Sequence, residues 1–218
     1  LVSGIAHEVR NPLVSIKSFF QLLNEMKEGD PERQELANIA TNEISRIEGL
    51  LDSFLGFAKP MPKNNTKFKL GDVINSSIIL IKHEAGKKGI KISTFNEYDK
   101  EIFADKKQIQ QVLLNIILNA IEAMRSEGKL EITVCANDGA DKCVIEFKDD
   151  GCGMHSDVLS KAFTPFFTTK ENGTGLGLSL SQKIMSEHGG NINIKSKKGK
   201  GTCVSISLPT AKQDISFT

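Results

Sequence analysis

Four clusters in this sequence combine side-chain types and spacings suited to phosphate chemistry. The first is His7-Glu8-Val9-Arg10-Asn11-Pro12-Leu13. At helical spacing His7 and Asn11 share a face, and the Glu8 carboxylate can accept one ring N–H of the imidazole. Fixing the proton on one nitrogen leaves a lone pair on the other, which makes a neutral imidazole a nucleophile toward phosphorus. Pro12 lacks the N–H that would bond the Glu8 carbonyl, so a bend is expected one turn beyond His7. The plainer reading is an ordinary surface or bundle histidine.

The second cluster runs from Gln110 to Ala120, where Asn115 and Asn119 interrupt an apolar helix four residues apart on one face. Their amide oxygens suit a hard cation such as Mg²⁺, which takes a few protein oxygens together with phosphate oxygens and water. Two core asparagines bonded to backbone would read the same way. The third is Asp149-Asp150-Gly151-Cys152-Gly153 at the end of a strand. There Asp149 can accept from an exocyclic amine, while Gly151 and Gly153 let a flat heterocycle approach the backbone; Asp-Gly is equally a common turn. The fourth joins Phe163-Thr164-Pro165-Phe166-Phe167-Thr168-Thr169-Lys170 to Gly173-Thr174-Gly175-Leu176-Gly177. Glycines at alternate positions entering a helix expose backbone N–H groups at a positive dipole end, Lys170 adds a point charge, and the phenylalanines can anchor a closing loop. A flexible surface loop is the alternative.

Two kinds of element must position these groups. Apolar residues recur at helical spacing from Ile5 to Met26 and again from Leu36 to Ala58, with Gly29-Asp30-Pro31 breaking the pattern. This predicts a helical hairpin. Each helix buries one stripe only, so a homodimeric four-helix bundle is expected. Residues 60–66, rich in Pro, Asn and Lys, read as a linker. Beyond it the pattern predicts strands at Phe68–Leu70 and Ile90–Phe95, with helices at Asp72–Ala85 and Asp105–Arg125, the second capped by Asp105. A strand pair follows at Lys129–Asn137 and Lys142–Asp150, then an irregular Gly151–Gly177, a helix through His188, and strands at Asn191–Ser196 and Thr202–Leu208. Without regular βαβ spacing this is α+β, a sheet layered against helices.

Composition excludes several classes. Lys and Arg number 28 against 27 Asp and Glu, with no Trp and one Tyr, so neither a phosphate-backbone surface nor a base-stacking platform is supplied and no nucleic-acid partner is expected. No apolar run reaches the length of a membrane span. The four cysteines form no CxxC pair, which points to reduced thiols. The chain opens at Leu1 without an initiator Met and reads as a piece of something longer. Any membrane contact would then come through segments outside it, with this part cytoplasmic and the parent either soluble or membrane-anchored.

Taken in order, the clusters resemble the sensor histidine kinases of two-component signalling across essentially the whole chain. His7 to Leu13 resembles that family's H box, Asn115 to Asn119 its N box, and Asp149 to Gly153 its G1 box. Phe163 to Lys170 is similar to the F box, Gly173 to Gly177 to the G2 box, and Gly199-Lys200-Gly201-Thr202 to the last glycine element. The resemblance implies a dimerisation and phosphotransfer domain at 1–59, a linker at 60–66, and an ATP-binding α/β sandwich at 67–218 of the type shared with gyrase and the ninety-kilodalton heat-shock chaperone. It implies His7 as phosphoacceptor, Glu8 as its orienting base, and Asn119 assisted by Asn115 as Mg²⁺ ligands. Asp149 would read the adenine amine, and Gly151, Gly153, Phe163, Lys170, Gly173, Thr174, Gly175, Leu176 and Gly177 would shape the nucleotide pocket and its lid. Asn11 matches a polar position that implies a second, phosphatase activity toward a phosphorylated response regulator.

The implied reaction is ATP-dependent phosphorylation of His7, then transfer to an aspartate on a response-regulator receiver domain. In ATP-hydrolysing relatives the position of Asn115 holds a Glu that activates water, and an amide cannot serve as that base. Two other classes remain to be weighed: a dimeric ATP-hydrolysing protein, and a nucleotide-binding signalling scaffold without histidine transfer.

Overall fold

The structure is a computed structural model that describes residues 2–26, 30, 32–41, 43, 44, 47, 63–98, 101–136, 142–170 and 173–210, with side chains in the first helix given from Leu13 onward. The chain divides into two compact units, Leu1–Met61 with Thr168–Leu176, and Pro62–Phe167 with Gly177–Thr218.

In the first unit α1 spans Val2–Glu25 and continues through Pro12. Residues 32–41 are also helical, opened by Asp30, whose carboxylate accepts the Glu32 N–H at 3.1 Å. The expected helix to Ala58 lies largely outside the described residues. Large apolar side chains on both helices face solvent, among them Leu13 at 53%, Val14 at 58% and Phe20 at 52%. No helix among the described residues is long and apolar enough to cross a membrane.

The second unit is a five-stranded sheet with helices on one face. Its strands are β2 (Lys91–Asn96), β4 (Lys129–Ala136), β5 (Lys142–Asp149), β6 (Asn191–Ser196) and β7 (Thr202–Pro209), in the order β2-β4-β5-β7-β6. Only β2 and β4 pair in parallel. Separately, β1 (Asn65–Lys69) and β3 (Glu101–Asp105) form an antiparallel ribbon. The helices are α2 (Leu70–Lys87), α3 (Lys106–Ala123), the single turn α4 (Ser156–Leu159) and α5 (Gly177–Glu187).

Alternation builds the sheet side of the core, with Leu130, Ile132 and Val134 buried on β4 and Cys143, Ile145 and Phe147 on β5. The helix side follows the 3.6-residue period: Ile109, Val112, Leu113, Ile116, Ile117, Ala120 and Ile121 line α3. Burying each such aliphatic side chain contributes about 1.5–3 kcal/mol before entropy is subtracted.

Most strand and helix ends fall within two residues of the sequence expectation, and the differences that matter lie in four places. β1 starts at Asn65, so the last two residues of the 60–66 stretch are strand, because pairing with β3 extends it beyond the one apolar position, Phe68. Leu70 opens α2 instead of ending β1, with Lys69 as an extended N-cap. The pattern does not predict β3: Ile102 and Ala104 are its only inward apolar residues, too short an alternation to stand out. Within the irregular stretch Gly151–Gly177 the single turn α4 carries no periodic signal.

Candidate nucleotide site

Asp149 ends β5, opposite Leu130 on one side and Thr202 on the other. Its side chain is buried, and Oδ1 accepts the backbone N–H groups of Gly151 at 2.9 Å and Thr202 at 3.2 Å. With both recorded bonds on Oδ1, Oδ2 is the oxygen that remains for a ligand donor. Burial pushes the Asp149 carboxyl up; the N–H groups of Gly151 and Thr202 pull it back only in part, and the charge of Asp150 adds to the rise.

The chain beyond Asp149 is clamped on two sides. The Cys152 N–H donates to the carbonyl of Ala123 at the end of α3, and the Cys152 carbonyl accepts from Gly199 in the β6–β7 turn, 2.9 and 2.8 Å respectively. Gly153, at φ +58°, lies so close to the Lys197 carbonyl that a Cβ would collide with it, and Gly201, at φ +79°, stands in the same relation to the Asp149 carbonyl. Gly151 and Gly153 are thus required by backbone packing at this strand end.

Asn115 and Asn119 lie one turn apart on α3 at the edge of its buried stripe. The Asn119 amide donates to Asn115 Oδ1 at 3.3 Å, and the Asn115 amide donates to Ser181 Oγ on α5 at 2.9 Å. The pair is therefore held by side chains, which sets aside the reading of two core asparagines bonded only to backbone. Gly177 opens α5 directly against Asn115: any Cβ there would strike Oδ1. The structure thus brings Asn115, Asn119 and Gly177 together.

Among the described residues no group of three or more His, Cys, Asp or Glu side chains could hold a metal ion. The amide pair is the hard-oxygen donor set present, and such a set suits Mg²⁺ that keeps most of its shell as water and phosphate oxygens. The residues present fit a metal carried in on a phosphate ligand and do not form a protein cage.

Phe163 packs against the core of the second unit, and the Lys161 ammonium sits 5.8 Å from the Phe167 ring centroid. Phe166 adopts φ +66°, a conformation uncommon for a side chain of its size. Lys170, Gly173, Thr174, Gly175 and Leu176 belong to the first compact unit. Their described contacts are local. The Lys170 N–H donates to Thr168 Oγ1 at 3.1 Å, the Gly173 N–H to the Lys170 carbonyl at 3.3 Å, and the Leu176 N–H to Thr174 Oγ1 at 3.3 Å.

His7, Glu8 and Asn11 fall on α1 at positions that share a helical face or adjoin it, and their side chains lie outside the described ones. Sequence reasoning passed over Ser181, the acceptor for Asn115, and the role of Thr202 in seating Asp149. A buried serine two turns before a helix end was a usable signal for the first; nothing local pointed to the second, 53 residues from its partner.

Residues 104–212 match the family model described as histidine kinase-, DNA gyrase B- and HSP90-like ATPase, and residues 1–62 match the His Kinase A (phospho-acceptor) domain. The sensor histidine kinase ZraS of Salmonella typhimurium is 39% identical over 210 residues, which is 96% of this chain and 45% of that protein. Sporulation kinase E of Bacillus subtilis is 40% identical over 210 residues, 96% of this chain and 28% of the relative. Among solved structures, histidine kinase ThkA in complex with response regulator protein TrrA matches at 30% identity with a TM-score of 0.79, covering 97% of this chain and 62% of that one. The catalytic domain of ThkA alone matches at 34% identity and a TM-score of 0.61, covering 67% and 96%. The chain spans less than half the length of these two curated relatives. With an identity of this size over nearly its full length, and both domain models in order along it, the chain belongs to the sensor histidine kinases of two-component signalling.

Proposed function

We propose that this chain is an ATP-dependent protein histidine kinase core: residues 1–59 dimerise and carry the phosphoacceptor His7, residues 60–66 link, and residues 67–218 bind Mg-ATP. The single observation that carries the nucleotide half of this reading is the seating of Asp149. A buried carboxylate with one oxygen saturated by two backbone donors presents the other in a fixed direction, as recognition of an adenine amine requires.

Gly151 and Gly153 would serve the site through the close backbone packing that seats Asp149, not by making room for the ring. Gly177, at the start of α5, would offer its backbone N–H to phosphates, and Gly173, Thr174, Gly175, Leu176 and Lys170 would form the lid. Asn119, with Asn115, would hold the Mg²⁺, an ion that would supply charge neutralisation at the phosphate oxygens.

In this reading the Glu8 carboxylate would accept one ring N–H of His7 and so orient the imidazole. The lone pair on the other nitrogen forms a bond to the γ-phosphorus as the bond to the β,γ-bridging oxygen breaks. ADP leaves with that electron pair, and the surplus ring proton passes toward Glu8. Positioning and charge neutralisation supply most of the rate. The phosphoryl group then passes to an aspartate on a response-regulator receiver domain, a partner supported by the ThkA complex with its response regulator. Asn11, one turn from His7 on α1, would orient water for dephosphorylation of that partner. Asn115 has an amide, a poor base, which argues against rapid hydrolysis of ATP.

Exposed Leu13 and Phe20, seven residues apart on one face of α1, supply apolar surface that a second copy would cover. Incubating the protein with Mg²⁺ and γ-radiolabelled ATP tests the reading. An acid-labile, alkali-stable label that vanishes in His7→Gln is expected; a label that persists in that variant removes His7 from its role.

A further inference from the structure

Three segments far apart in sequence meet where α3 begins and α5 ends. His188 follows the last residue of α5, and its Nδ1 lies 2.9 Å from the Ile184 carbonyl while its Nε2 lies 3.1 Å from the Asp105 backbone nitrogen. A carbonyl only accepts and a backbone N–H only donates. In this arrangement Nδ1 is the ring's donor and Nε2 its acceptor.

Asp105 is saturated in turn. Its Oδ1 caps α3 through the Lys107 and Gln108 N–H groups at 3.0 and 3.1 Å, and its Oδ2 accepts the Asn64 N–H at 2.8 Å. The ammonium of Lys63 donates to the carbonyl of Glu187, the last residue of α5. Lys63 and Asn64 are thus fastened to the far ends of both helices at the point where the chain enters the second unit.

The same two helices are tied once more, by the Asn115 to Ser181 hydrogen bond. Going from Asp105 to Asn115 along α3 corresponds to going from His188 back to Ser181 along α5, so the helices run antiparallel with two fixed points. Ten residues of helix separate the ties on α3, about 15 Å at 1.5 Å per residue. A rigid rod pinned at one end carries any shift of that end to Asn115, Asn119 and Gly177.

We propose that His188 is a positioning residue for the nucleotide site: its ring locks the start of α3 to the end of α5, at the junction where Asp105 and Glu187 hold the arriving Asn64 and Lys63. It touches no substrate; it sets the spacing of the groups that do. This rests on the reading of the second unit as the ATP-binding part of a histidine kinase.

The test uses the full 218-residue chain and three variants: His188→Leu, which loses both ring bonds; His188→Gln, which keeps an acceptor within reach of the Asp105 N–H; and Lys63→Ala, a surface change. Thermal melting checks folding, calorimetry gives the Kd for Mg-ATP, and rapid-quench labelling gives the rate of phosphoryl appearance on His7. Folded His188→Leu is expected to bind about tenfold more weakly, one lost factor of ten in the binding constant. His188→Gln should recover to within about threefold of wild type, as a retained hydrogen bond predicts. Lys63→Ala should leave the Kd unchanged and slow labelling by about threefold, a loss in kcat alone.

Wild-type values in folded His188→Leu, or equal impairment in Leu and Gln variants, overturn the proposal. Should His188→Leu fail to fold, recovery by Gln together with the rate defect of Lys63→Ala sustains it, and wild-type behaviour of Lys63→Ala overturns it. Failure of the unaltered protein to bind Mg-ATP or to be labelled would sink the kinase reading itself, which keeps the two failures apart.

Discussion

The helical unit and the second, sheet-containing unit place their apolar side chains in opposite ways. On α1, Leu13, Val14 and Phe20 are each more than half exposed, whereas Leu113 and Ile117 on α3 are at 0% and the inward residues of β4 and β5 are all buried. Both regions contain helices with a regular apolar period. The difference lies in what covers the stripe: α3 is closed over by a sheet of its own chain, and α1 presents residues that only another surface can bury. The proposed nucleotide groups Asn115, Asn119, Asp149 and Gly177 accordingly sit on a self-sufficient scaffold, while the proposed phosphoacceptor sits on one that, in our proposal, a second copy would complete.

The largest expected effect breaks the self-sufficient side. Leu113→Ala should destabilise the second unit by about 3 kcal/mol, the usual cost of a cavity at a fully buried leucine. Two-probe denaturation would show this, and a loss below about 1 kcal/mol, the level of a surface change, would contradict the packing described.

Asp149→Asn comes next and separates binding from stability. Its carboxyl is raised by burial, so in the folded state it holds its proton to higher pH than in the unfolded chain. The stability tied to that protonation is present in acid and is lost as pH rises through the folded value. At neutral pH the ionised group is a liability to the fold, and an amide can still accept from Gly151 and Thr202 at Oδ1. The variant should melt no lower than wild type at pH 7 yet lose about 2–3 kcal/mol of ATP affinity, the value of a hydrogen bond to a charged group. Asp105 has the opposite sign. Burial alone would raise it, but the N–H donors of Asn64, Gln108 and Lys107 prevail and hold it low. Its contribution is present above the ordinary carboxyl range and is lost as pH falls through the lowered value. Asp105→Asn should therefore destabilise at pH 7, and thermal melts of the two variants side by side should move in different directions.

Phe20→Ser addresses the other side of the contrast. It should weaken self-association by about 1–2 kcal/mol, the transfer cost of an exposed-in-one-chain aromatic that a partner would bury, and leave the melting of the second unit unchanged. Sedimentation equilibrium over a range of concentration reads the first, and the concentration dependence of the first unit's unfolding gives an independent measure. The smallest effect is Ser181→Ala, which leaves the Asn115 amide without its acceptor and should cost about 1 kcal/mol in Mg-ATP binding.

Legibility in the sequence followed the range of the interactions. The span of α3 was read as Asp105–Arg125 and stands at Lys106–Ala123, and β6 was read without error, because long periodic runs and glycine-bounded strands carry their signal locally. β3 escaped because its partner β1 lies some 40 positions away in register, Asn65 against Asp105, and neither strand has more than two inward apolar residues. At the site, the residue types were legible and their seating was not. Asp149 could be picked out as an acceptor, but the Thr202 N–H that immobilises it comes from 53 residues on. His188 read only as the end of a helix, since its partner at Asp105 is 83 residues away.

In the proposed reaction the phosphoryl group of ATP goes to a nitrogen on the hairpin and not to water. Rapid mixing of the protein with Mg-ATP, followed by parallel measurement of protein-bound acid-labile phosphate and of released inorganic phosphate, tests it directly in the unaltered chain and in His7→Gln. Bound phosphate rising ahead of free phosphate in the first, and neither rising in the second, is the predicted result. Free phosphate released by His7→Gln as fast as the unaltered protein consumes ATP would contradict it.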